Sequence, residues 1–124
     1  MNIILGTVQI GTNYGLFTDH RFKNDDEIDL ILKKAKEVGI DEIDTASSYG
    51  DAEDKLKKYI LNKNEWNFNT KIINCLDDII TDSYLSNVEK KIYETQKKLQ
   101  TINIVYIHNP KDLYKRNSDK IFKL

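Results

Sequence analysis

Four short apolar runs alternate along this chain with segments of helical period, and that alternation leaves very few folds open. The runs are Ile3-Ile-Leu-Gly-Thr7, Ile40 to Thr45, Lys71-Ile-Ile73 led in by Trp66-Asn-Phe-Asn-Thr70, and Ile102 to His108. Their length and β-branched content read as strands. Asn24 and Glu27 form a capping box at the head of the first helix, and Ile28, Ile31, Leu32, Ala35 and Val38 make its apolar stripe. Gly39 stands where a left-handed residue ends such a helix. A second helix starts at Asp51, with Leu56, Tyr59 and Ile60 toward the core. A third starts near Ser83, with Leu85, Val88, Ile92 and Leu99 on one face. Val8 to Lys23 reads as loop, broken at Gly11, Asn13 and Gly15. Lys111 to Leu124 reads as one more short helix bearing Leu113, Ile121 and Phe122, interrupted at Arg116-Asn-Ser118.

The order β-α-β-α-β-α-β, with crossovers of this length, builds a parallel sheet. Either an open doubly wound sheet or a closed barrel uses it. Gly6-Thr-Val-Gln-Ile-Gly11 has the wrong spacing for the Gly-x-Gly-x-x-Gly fingerprint, so a Rossmann dinucleotide site is poorly supported. The chemistry-bearing residues lie instead at strand exits, as in a barrel. With 124 residues the chain is at most one domain with a real core.

Net charge is −1, which carries no electrostatic footprint of nucleic acid or an anionic membrane. The 17 lysines fall at helical spacing among acids, as at Lys33-Lys34-Lys36, Lys55-Lys57-Lys58 and Lys90-Lys91-Lys97-Lys98, and read as solvated helix faces. The lone cysteine, Cys75, excludes an intramolecular disulfide, offers no metal cluster, and reads as a buried structural thiol. No apolar run reaches the roughly 18 residues of a membrane span, and the start of the chain lacks a basic region, so a cytoplasmic protein is expected.

Asp44, Tyr49, Lys71 and His108 are the candidate site: a carboxylate, a phenol, an amine and an imidazole at the carboxyl ends of strands. A phenol in water is a weak acid, with a pKa of about 10, and a neighbouring ammonium makes it a better proton donor. A carboxylate keeps that ammonium charged, and an imidazole can donate to the same substrate oxygen. Such a set stabilises the alkoxide formed when hydride reaches a carbonyl carbon. Singly, each has a structural reading: Asp44 as a loop cap, Tyr49 as packing, Lys71 as a snorkelling side chain, His108 as a turn residue. Together they read as a proton relay.

Leu5-Gly-Thr-Val-Gln-Ile-Gly11, Gly39-Ile-Asp-Glu-Ile-Asp-Thr-Ala-Ser-Ser-Tyr-Gly-Asp-Ala-Glu53, Thr70-Lys71 and Ile107-His108-Asn-Pro110 resemble the aldo-keto reductase family, most closely its bacterial branch found with polysaccharide and spore-coat biosynthesis. The resemblance runs from Leu5 to about Leu113. It implies a parallel (β/α) half-barrel, strands 1–4 of a (β/α)8 TIM barrel, with residues 1–124 forming a single partial domain, the N-terminal half. It also implies NAD(P)H-dependent reduction of an aldehyde or ketone, with a sugar-related carbonyl as the candidate substrate the branch suggests. Tyr49 would be the general acid, Lys71 and Asp44 its tuning pair, and His108 the donor to the substrate oxygen. Gly6, Thr7 and Asp44 are the candidate NADP(H) contacts, and the family's main cofactor platform lies on the half not represented here.

A half-barrel leaves both edge strands open, and Ile3, Leu5, Ile43 and Val105 or Tyr106 are the expected inward-facing residues. The chain alone is therefore expected to self-associate or be marginally stable, and to bind NADPH weakly or not at all. The competing readings are a half-barrel that assembles as a homo-oligomer or with a C-terminal half, and a non-catalytic remnant or binding scaffold.

Overall fold

The computed structural model describes residues 3–15 and 25–124. Strands β1 (Leu5–Gly6), β2 (Glu42–Asp44), β3 (Asn67–Ile72) and β4 (Ile104–Ile107) form one parallel sheet in the order β1-β2-β3-β4. Between them run helices α1 (Val8–Gly11), α2 (Asp25–Glu37), α3 (Ala52–Tyr59) and α4 (Asp82–Leu99). Three short 3₁₀ turns, Lys63–Glu65, Pro110–Tyr114 and Ser118–Lys123, complete the described elements.

Register and burial decide which sheet face meets the helices. Leu5, Ile43 and Phe68 are aligned across β1, β2 and β3, and all three pack in a core with Ile28 and Leu32 of α2, Leu56 of α3 and Leu99 of α4. Phe68 and Leu56 are almost wholly buried, each burial worth about 1.5–3 kcal/mol. A second core joins Ile72, Cys75, Ile80 and Val88 to Ile121. Side chains alternate across a strand, so Glu42, Asp44, Asn67, Asn69, Lys71, Ile104 and Tyr106 share the opposite, concave face.

That face corrects the expected inward set. Leu5, Ile43 and Val105 point to the helix side, and Tyr106 is the one of them that shares the concave side. Ile3 lies before β1 and is 54% exposed. The physical reason is that helices cover only one face, which takes the branched apolar residues. The concave face is largely polar, and Asn69 Nδ2 donates to Glu42 Oε1 across it at 2.6 Å.

The helix ends follow the sequence closely where the residues are described. Gly39 adopts φ +81, with Gly39 N–H bonded to the Lys36 carbonyl and Ile40 N–H to that of Ala35, the paired bonds of a Schellman ending. Val38 falls beyond α2 and is exposed, so the apolar stripe stops at Ala35. Asn24 lies outside the described residues, and with it the expected capping box. Thr81 caps α4 by accepting from the Tyr84 N–H at 3.1 Å. Val8–Gly11, expected as loop, is a single helical turn. It is too short to show a period, and tertiary contacts hold it: Lys55 Nζ donates to the Ile10 carbonyl at 2.8 Å. Lys55 is thereby an exception to the solvated lysine faces, which elsewhere form exposed pairs such as Lys33–Asp29 and Lys34–Glu37. The C-terminal segment forms two 3₁₀ turns instead of one helix, with Ile121 buried and Phe122 exposed.

Glu53 yields a stability prediction. Its side chain is 5% exposed, Oε1 accepts from Thr95 Oγ1 at 2.8 Å, and Lys98 Nζ stands 3.8 Å away. Burial raises its pKa above the ordinary 4.5, outweighing the opposing Thr95 bond and Lys98 charge. The folded chain therefore holds this proton more tightly than the unfolded chain, and stability falls as pH rises between the ordinary and the raised value. Glu53→Gln keeps an acceptor for Thr95 and removes the charge. The variant is expected to lose part of this pH dependence and to be at least as stable as the parent at neutral pH. Urea melts across the acidic-to-neutral range would disprove this if the two profiles ran parallel.

Candidate active site

Asp44 ends β2, and its backbone carbonyl is fixed by Thr7, whose N–H donates at 3.1 Å and whose Oγ1 donates at 3.0 Å. The carboxylate sits on the polar concave face, two register positions from Lys71 of β3. Lys71 Nζ donates to both carboxylate oxygens, at 2.6 and 2.5 Å, and also to the Thr45 carbonyl at 3.3 Å. The side chains are 16% (Lys71) and 30% (Asp44) exposed, dry enough to sharpen the attraction without removing it from solvent. Both carboxylate oxygens are thus engaged by a single ammonium.

Tyr49 reaches this pair from the turn after β2. Its N–H bonds the Ala46 carbonyl at 3.0 Å, and its own carbonyl accepts from Ala52 N–H at 3.1 Å as α3 begins. Lys71 Nζ lies 5.1 Å from the phenol ring centroid. Among the described residues the Tyr49 hydroxyl makes no hydrogen bond, so it is open to an incoming oxygen. His108 follows β4 directly, its ring edge-on to Tyr49 with centroids 5.9 Å apart and planes at 84°. The four expected site residues therefore meet at one end of the sheet.

The backbone that carries Tyr49 is set by two glycines. A Cβ on Gly11 would lie 1.7 Å from the Tyr49 carbonyl oxygen, and one on Gly50 would lie 2.4 Å from the Gly11 oxygen. Gly50 also adopts φ +59. Gly11 serves close approach, and Gly50 serves both approach and turn.

The exit of β4 is tied to that of β3. Buried Asp112 accepts from the Cys75 N–H at 3.0 Å and pairs with Lys115 at 2.9 Å, while Lys115 Nζ donates to the Cys75 carbonyl at 2.5 Å. Cys75 is buried, as expected of a structural thiol. Tyr84 donates its hydroxyl to the Ile73 carbonyl at 2.7 Å, and burial pushes its pKa up to about 12. Sequence reading passed over Asp112 and Ser48, because neither carries a spacing signal. Ser48 Oγ lies 3.4 Å from His108 Nδ1.

Of the candidate cofactor contacts, Gly6 is open, with no atom within 4 Å of where a Cβ would stand. Thr7 is buried and its hydroxyl is committed to the Asp44 carbonyl. Among the described residues no group of three His, Cys, Asp or Glu side chains could hold a metal ion, and no helix is long and apolar enough to cross a membrane.

Comparison with known proteins gives a consistent set. The model of the aldo/keto reductase family matches residues 2–122. A Pseudomonas aeruginosa protein described as an aldo-keto reductase is 23% identical, with a TM-score of 0.73 over 97% of this chain and 49% of its own. A thermostable aldo-keto reductase solved with the inhibitor epalrestat is 26% identical, at 0.57 over 87% of this chain and 39% of its own. One from Brucella melitensis is 25% identical, at 0.55 over 98% and 43%. No curated protein sequence matches the chain significantly. The chain spans about half the length of the P. aeruginosa protein, or less than half that of the others.

Proposed function

The chain belongs to the aldo/keto reductase family, and from that premise we propose that it carries the proton-donating side of an NADPH-dependent reduction of an aldehyde or ketone. The observation that carries this reading is the joint arrangement of Lys71 doubly bonded to Asp44, its ammonium beside the Tyr49 ring, and His108 edge-on to the same ring. The substrate carbonyl oxygen binds between the Tyr49 hydroxyl and the His108 imidazole. A reduced nicotinamide dinucleotide, when bound, would supply the hydride that the carbonyl carbon accepts. As the C=O π electrons move onto oxygen, Tyr49 gives that oxygen its proton and an alcohol results. The Lys71 ammonium stabilises negative charge growing on the phenol oxygen, and Asp44 holds Lys71 in place and charged. Gly6, Thr7 and Asp44 remain the candidate cofactor contacts, and of the three Gly6 has open surroundings.

The same reading assigns this chain half of a barrel, completed by a second half of the family's fold. Supporting this are the free edge of β4, where Ile104, Val105 and Tyr106 are each about 40% exposed, and a groove of about 530 Å³ beside it lined by Ile72, Ile92, Val105, Ile107 and Ile121. The test is NADPH oxidation with a panel of carbonyl substrates, sugar aldehydes first, by the chain alone and with a C-terminal half-barrel supplied. Turnover is expected only with the second half present, and the chain alone is expected to associate or melt at low temperature. Turnover by a stable monomer would overturn the assembly requirement. Absence of turnover in every combination would favour the non-catalytic scaffold.

A further inference from the structure

Two neighbouring residues hold the His108 ring from different sides: Tyr49 stacks against it edge-on, and Ser48 Oγ lies 3.4 Å from its Nδ1. Among the described residues Ser48 is the ring's sole hydrogen-bond partner. The neighbouring Asn109 turns its Oδ1 to the Lys111 N–H at 3.1 Å. We infer that Ser48 is a positioning residue that donates to Nδ1 and so fixes neutral His108 in the tautomer protonated at Nε2.

A neutral imidazole has one donor and one acceptor nitrogen, and the bond made at one nitrogen decides what the other offers. With Nδ1 accepting from Ser48, the proton sits on Nε2, the ring nitrogen left free. A ring in the other tautomer would offer a carbonyl oxygen only a lone pair and would repel it. The placement is pre-organised. Ser48 sits in the Ala46–Tyr49 turn, which is locked against Gly11, and His108 is set by the β3–β4 register. The long, exposed contact sets a modest size for the effect. A serine hydroxyl can donate or accept, so the choice of donation to Nδ1 rests, with its consequence for catalysis, on the carbonyl-reduction reading; the contact itself does not.

The test is two-bond ¹H–¹⁵N correlation of the imidazole nitrogens at a pH where the ring is neutral. The chain has two histidines, His20 and His108, so His20→Gln assigns the spectrum. The parent is expected to show a lone-pair shift at Nδ1 of His108. Ser48→Ala should move the tautomer ratio toward Nδ1–H by about fivefold, the weight of one ordinary hydrogen bond, and Ser48→Thr should restore it, with backbone amide spectra unchanged throughout. A parent protonated at Nδ1, or a Ser48→Ala ratio equal to the parent's, would overturn the inference. If the tautomer behaves as expected and no carbonyl is reduced, the functional proposal fails alone. If turnover is present and the ratio does not move, the Ser48 assignment fails alone.

Discussion

Replacing Tyr49 by phenylalanine is expected to lower carbonyl reduction by the assembled enzyme by about a hundredfold to ten-thousandfold, the range for losing a positioned general acid. The variant should fold as well as the parent. The phenol ring is partly buried against the core and keeps its stacking on His108 after the substitution. The hydroxyl has no hydrogen-bond partner among the described residues, so its removal orphans no buried group and should change stability by less than about 0.5 kcal/mol. A hydroxyl that contributes nothing to folding, on a ring whose centroid lies 5.1 Å from an ammonium, is what a proton donor would look like. Equal melting curves with collapsed kcat are the expected result. Undiminished turnover would remove Tyr49 from its role, and a large loss of stability would show that the hydroxyl serves the fold.

The strand order and the convergence of the four candidate residues were legible because each rests on a local signal. Gly39 announces its helix ending by being the residue that tolerates φ +81, and Thr-Lys and Ile-His stand at strand ends where a parallel sheet gathers its chemistry. Sheet facing was less legible. In β3 the side chains of Phe68, Thr70 and Ile72 are buried on the helix side, but Asn69 on the other face is buried too, and Asn69-Thr70-Lys71 is polar throughout, so neither polarity nor burial alternates cleanly. In β2, Ile43 alone separates Glu42 from Asp44, and a single apolar residue leaves its direction undetermined until the partner register is known. The Lys71–Asp44 bond, the Ser48 contact with His108 and the Asp112 clasp on Cys75 join residues 27, 60 and 37 positions apart. Such contacts leave no periodic trace, since they depend on how consecutive βα units are laid side by side.

Gly11→Ala is expected to damage fold and site together, for a reason the sequence reading could not supply. In the sequence Gly11 reads as a loop break and as the end of the Leu5–Gly11 motif, and neither reading shows what it is for. It closes α1, has no positive φ, and is there for room: an added methyl would stand 1.7 Å from the Tyr49 carbonyl oxygen and 2.6 Å from the Ala52 nitrogen. Both are backbone atoms, so no side chain can swing aside, and the turn bearing Tyr49 must shift bodily or α1 must lift from α3. Overpacking of this kind costs about 3 kcal/mol, corresponding to a fall in Tm of roughly 10 °C or more. Displacement of the turn also carries Ser48 and Tyr49 away from His108, and an error of about 1 Å in a catalytic group can cost a hundredfold in rate. The two effects are separable: an osmolyte that restores folding should recover the melt but leave turnover low, because the methyl still occupies the space. A Gly11→Ala protein with the parent's Tm and parental turnover would mean that α1 can move away from α3 without cost, and that the Gly11–Gly50 contact does not set the position of the phenol.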